Sequence, residues 1–245
     1  MNRIIKLFTI IHILSNILYA DITKEKIYQY LDVSAGGVIF SSYHFGLLNK
    51  FNYTPNKEDN KKYLNSYFDG LDLFYYNDMI TFYNTKVGKK YRKVINNMND
   101  EYLIYDMAKN PKEMFNILHI KKNKCTKNRK KLIDDIENNL NFMKIRLSFY
   151  IKTMYQINHF LTKDRKKSID ALNVIVDKKK TDFLEYHKIV SCDAYKDFLI
   201  EELEELAKYS SSAAAKHEVI LTNEGFSRYI KLFIPDLMKL NDGKK

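Results

Sequence analysis

Cys125 and Cys192 are the two cysteines of this 245-residue chain, and their chemistry depends on the compartment they occupy. In an oxidising compartment an isolated even pair most simply forms one disulfide. Such a bridge closes a loop of roughly 68 residues and restricts the unfolded chain by about 4 kcal/mol on the loop-entropy model. The sharper alternative is a nucleophilic thiolate with His187 nearby, but no companion motif surrounds that pair. The disulfide is therefore the expectation.

Other reactive residue types lack a productive spacing. His44, His119, His159, His187 and His217 are scattered, with no HExxH and no Glu three residues before a His, so neither a zinc site nor a di-iron bundle is expected. No GxSxG, GxxxxGK or GxGxxG occurs, and Gly36-Gly37 lacks the third glycine and preceding strand of a phosphate cradle. The acid pairs Asp69/Asp72, Asp134/Asp135 and Glu201/Glu205 are of the kind that charged helix faces produce freely. Asn52-Tyr53-Thr54 is one glycosylation sequon, weakened by Pro55. The expectation is a non-enzymatic protein with no catalytic residue, metal or cofactor.

The elements that carry these residues read as all-α: a long antiparallel helical hairpin within an irregular helical bundle. Gly and Pro, the helix breakers, number only 7 and 3. Ile133, Ile136, Leu140, Met143, Leu147, Tyr150, Met154, Ile157 and Leu161 recur at spacings of three and four, predicting one helix of about eight turns with a coiled-coil-like seam. The polar turn 162–168 separates it from Ile169, Leu172, Val176, Phe183, His187 and Val190, which predict the returning arm. Ser191-Cys192-Asp193 then breaks that arm and caps a third helix, whose Leu199, Leu203 and Leu206 form an apolar stripe opposite the acidic face 201–205. A chain that runs out and back brings Cys192 towards Cys125, an independent reason to expect the bridge. Residues 210–215 (SSSAAA) read as a linker, and Thr222 as the cap of a last helix kinked or interrupted at Pro235.

The N-terminal half is less periodic. Residues 32–51 mix Ser34, Ala35, Gly36, Gly37, Ser41 and Ser42 with large apolar side chains. Close helix packing is one reading, and a segment able to enter a bilayer after rearrangement is the other; Gly36 and Gly37 mark the candidate membrane-active segment. Residues 60–77 and the stretch beyond them are rich in Tyr and Phe at spacings that suit a core.

The first twenty residues combine a basic start (Arg3, Lys6), a largely apolar run 7–14 and Leu18-Tyr19-Ala20 as a cleavage site, the pattern of a secretory signal peptide. The organisation is therefore expected to be a signal peptide at 1–20, an N-terminal helical region at 21–120 and a C-terminal helical hairpin and bundle at 121–245, one compact domain overall. The expected location is the secretory pathway: secretory vesicles, the vacuolar space or the exterior. The formal charge of +11 becomes +9 without Arg3 and Lys6, leaving 39 basic against 30 acidic residues. In that compartment the partner is expected to be an anionic membrane surface or another secreted protein, with no nucleic acid. The candidate anionic-surface residues are Lys121, Lys122, Lys124, Lys127, Arg129, Lys130 and Lys131.

Signal, length, absence of Trp, the Lys, Asn, Tyr and Ile bias and a helix-rich body together resemble the small secreted helical proteins of malaria parasites, those that serve gamete egress and sporozoite traversal. The resemblance is one of whole-chain size and character, and it assigns no functional residue. It implies a protein stored in secretory vesicles and discharged to help a parasite leave a host cell or pass through cells. No RxLxE, RxLxQ or RxLxD follows the signal, so delivery into the host cell is not expected.

Overall fold

Local signals start and stop the helices before tertiary packing selects their faces. The computed structural model describes residues 24–50, 53–107, 125–140, 142–161, 170, 173–174, 177–178, 181 and 191–242. Among them every regular element is α-helix: α1 (Lys24–Val33), α2 (Ala35–Lys50), α3 (Lys57–Phe68), α4 (Leu73–Asn84), α5 (Lys86–Met107), α6 (Lys127–Leu140), α7 (Phe142–Leu161), α8 (Ile200–Ser210) and α9 (Ala213–Asp242). Asn56 opens α3 by accepting the amide of Asp59 at 2.8 Å, and Asp72 opens α4 by accepting that of Phe74 at 2.8 Å. Between them the chain turns at Gly70, whose φ of 89° is costly for any residue with a Cβ. Arg228 of α9 closes this end of α3, donating from Nε to Ser66 O at 3.0 Å and from its terminal nitrogen to Asp69 O.

Helix α9 is the axis of the bundle. It packs on α7, α3, α4 and α2, so one core runs from Ile27 to Met238 and joins the two sequence regions. Aromatic rings fill that core as their spacing predicts. Phe149 and Phe226 stack at 3.5 Å between centroids where α7 meets α9, and Phe40 stacks on Tyr67 at 3.9 Å where α2 meets α3. Gly225 lets α3 approach α9 closely, since a Cβ there would stand 2.3 Å from the Tyr67 carbonyl oxygen.

The all-α hairpin is present in outline. The described positions of the returning arm, 170, 173–174, 177–178 and 181, are helical, and the Tyr155 hydroxyl donates to Asn173 Oδ1 across the two arms. Cys125 and Cys192 are bridged, with Cα atoms 5.8 Å apart. The expected signal peptide 1–20, the expected turn 162–168 and most of the returning arm lie outside the described residues.

Four local expectations are corrected. Ile133, Ile136, Leu140 and Leu147 are buried as the seam requires, but among the described side chains from 144 to 158 Ile145, Arg146, Phe149 and Thr153 are buried as well, while Tyr150, Met154 and Ile157 are only partly buried. The reason is a change of partner: α6 packs on α8, whereas α7 packs on α9. Leu203 and Leu206 are buried, but Leu199 is 61% exposed because it precedes α8 as its N-cap. The SSSAAA stretch is no linker, since Ala214 and Ala215 are buried at the start of α9 after a tight turn. Thr222 is no cap either: it is buried inside α9, which continues through Pro235 to Asp242.

Candidate functional site

Three features hold the chemistry of the molecule: the basic start of α6, the glycine-containing start of α2, and a buried carboxylate on α9 that touches the latter.

At the start of α6, Lys127 and Lys131 are exposed and form no ion pair among the described residues. Lys130 is paired with Asp134 one turn on, at 2.7 Å. Arg129 departs from the expected surface role. Its guanidinium donates to Phe198 O at 2.9 Å and to Tyr195 O, closing the turn that leads into α8. The disulfide joins this end of α6 to the helical turn 191–194, so Lys127 and Lys131 project from a region fixed both covalently and by hydrogen bonds. Lys121, Lys122 and Lys124 lie outside the described residues. The basic run beginning at Lys86 forms the first turns of α5 and is largely spent on structure. Lys86 and Lys90 both reach Glu202, at 3.1 and 2.5 Å, and hold its carboxyl down at about 2, while Arg92 reaches Asp32 at 3.4 Å.

Gly36 and Gly37 sit in the first turn of α2, fully inside the protein. A Cβ on Gly36 would stand 2.3 Å from Thr222 Oγ1 and 2.4 Å from the Tyr30 hydroxyl, and one on Gly37 would stand 2.4 Å from the Tyr30 carbonyl oxygen. The small residues therefore allow α1 and α9 to close on α2, which is the packing reading of this segment. No described helix is long and apolar enough to cross a membrane.

Glu218 of α9 borders the space that Gly36 leaves to Thr222 and Tyr30, its Oε1 standing 3.3 Å from where a Cβ would lie. Its carboxylate accepts the Gly36 amide at 3.0 Å, the Tyr83 hydroxyl at 2.9 Å and the Tyr209 hydroxyl at 3.3 Å. One turn on, Thr222 donates to the Glu218 carbonyl at 2.7 Å, which leaves its Oγ1 to accept from Tyr30 at 3.4 Å. Glu218 is 0% exposed, and none of the ion pairs among the described residues involves it. Desolvation raises its carboxyl to about 7 despite the opposing hydrogen bonds. Two turns along α2, His44 is the basic counterpart. It shares a 2.8 Å hydrogen bond with the Tyr229 hydroxyl and lies parallel to Phe40, and burial depresses it to about 4. The α2–α9 contact is thus built around two buried ionisable groups that are both uncharged in mildly acidic solution.

Glu218 has no motif around it, and its partners lie as many as 182 residues away in sequence. Among the described residues no group of three His, Cys, Asp or Glu side chains could hold a metal ion. No family model matches the chain, and no curated protein or solved structure matches it significantly.

Proposed function

We propose that the protein is a secreted, non-catalytic helical effector, held in secretory vesicles and acting at or near anionic membranes when a parasite leaves a host cell or traverses cells. The observation that carries this reading is the pair Lys127 and Lys131, exposed and without an acidic partner among the described residues, beside a disulfide-fixed junction, on a chain whose formal charge is +9 once Arg3 and Lys6 leave with the signal. A basic group near an anionic surface contributes about 1 kcal/mol and acts within about 8 Å at physiological salt. A platform of this size gives reversible, salt-sensitive attachment, and the Gly36-Gly37 segment can enter a bilayer only after α2 separates from α9. The disulfide and the helical, signal-bearing chain support the secretory location.

The test is co-sedimentation of the oxidised mature chain with vesicles of phosphatidylserine and phosphatidylcholine at low salt and at 0.15 M salt, about one ionic strength at which screening becomes short-ranged. Binding at low salt that weakens at the higher salt and falls in the double variant Lys127→Glu, Lys131→Glu supports the reading. A wild-type chain that ignores the vesicles at low salt overturns it. That result would favour a vesicle-core or partner-binding role, for which Phe45, Phe74 and Leu199, each at least 60% exposed, supply apolar contact points.

A further inference from the structure

We propose that Glu218 is a proton-operated latch that holds the N-terminal helices α1 and α2 against α9 when protonated and frees them when ionised. The geometry places a carboxyl group at the point where these helices converge. Gly36 N–H of α2 and the hydroxyls of Tyr83 (α4) and Tyr209 (α8) all aim at it, so loss of this one contact loosens several elements together. The surrounding titratable groups are phenols: Tyr30 from α1, Tyr67 from α3 and Tyr91 from α5 join the two donors, with Ser34 nearby. Burial and the carboxylate itself hold Tyr30, Tyr83, Tyr91 and Tyr209 well above the ordinary phenol range. They remain neutral throughout the range in which Glu218 titrates, and no cation faces it among these groups. An ionised Glu218 inside the closed bundle is therefore a buried charge with hydrogen-bond donors but no cation among the described residues, too little to offset its desolvation, and opening of α2 places it in water.

The latch explains how a segment too tightly packed to meet a bilayer could be released without proteolysis or reduction. Its consequence for membranes rests on the proposed function above; the latch itself does not. Opening that hydrates Glu218 is linked to one proton. With the carboxyl at about 7 closed and at its ordinary 4.5 open, the opening constant contributed by this group rises about 25-fold between pH 5.5 and pH 8.

Hydrogen exchange of peptides covering α1 and α2, in the oxidised protein without vesicles, tests this. The readout is the ratio of opening constants, wild type over Glu218→Gln, after correction for intrinsic exchange. Any opposing contribution from His44 cancels in that ratio. A rise of about 25-fold from pH 5.5 to pH 8 is expected. A ratio unchanged with pH overturns the latch. Should Glu218→Gln fail to fold, carbon-13 titration of the Glu218 carboxyl in the wild type decides the matter. A midpoint near 7 is expected, and one below 5, near the ordinary 4.5, overturns the proposal. Vesicle leakage at the same two pH values is a separate arm: exchange that responds to pH without leakage removes the membrane role and keeps the latch.

Discussion

Opposite proton linkages at His44 and Glu218 should make the global stability of the wild type deceptively insensitive to pH. Glu218 titrates at about 7 in the fold against an ordinary 4.5, so between those values the native state holds the extra proton and stability falls as pH rises. His44 titrates at about 4 against an ordinary 6.5, so between those values the unfolded state holds the extra proton and stability rises with pH. Each shift of about 2.5 units corresponds to about 3 kcal/mol at 1.36 kcal/mol per unit. The windows overlap almost entirely, and over pH 4.5 to 7.5 the two contributions nearly cancel. Removing one exposes the other. Glu218→Gln should give a protein whose stability increases by about 2 to 3 kcal/mol from pH 4.5 to pH 7.5, and His44→Gln one whose stability decreases by a similar amount. His217, lowered by partial burial, adds to the rising contribution, while Glu202 at about 2 titrates below this range. The assay is urea unfolding of the oxidised chain followed by far-UV circular dichroism at constant ionic strength. If both variants follow the wild-type profile, or if the Glu218→Gln profile falls with pH, the assignment of buried neutral groups at this contact is refuted.

Two further outcomes test the packing. Replacing both Cys125 and Cys192 with Ser should lower stability by about 2 to 4 kcal/mol, as removal of a constraint on the unfolded loop does, measured by denaturant titration against the oxidised parent. Gly36→Ala should destabilise, because its Cβ would meet Thr222 Oγ1 at 2.3 Å, whereas Gly46→Ala in the same helix meets nothing within 4 Å and should stabilise by about 0.5 to 1 kcal/mol. Equal effects at the two glycines in thermal unfolding would contradict the close contact of α2 with α9.

What local chemistry can encode was legible in the chain: the three-four spacing at Ile133, Ile136 and Leu140, the scarcity of Gly and Pro, and two cysteines placed to meet when a helical arm returns. These depend on short-range periodicity and on chain direction, which need no knowledge of partners. The single seam expected from 133 to 161 changed face because α6 packs chiefly on α8 and α7 chiefly on α9, a choice made by side chains more than 60 residues away, such as Phe226 against Phe149. Thr222 reads as a cap in isolation because its hydroxyl can satisfy a free amide at a helix start. Within α9 the same hydroxyl instead bonds the carbonyl one turn back and accepts from Tyr30. Arg129 likewise carries the charge of a surface residue, yet carbonyls of the turn before α8 claim its guanidinium. The greatest gap concerns Glu218. Its residue type alone suggests an ionised surface acid, and only the convergence of α1, α2, α4, α8 and α9 removes water from it and supplies donors without a cation. Desolvation is a property of the assembled surroundings, so tertiary structure alone could turn that acid into a group poised near neutrality.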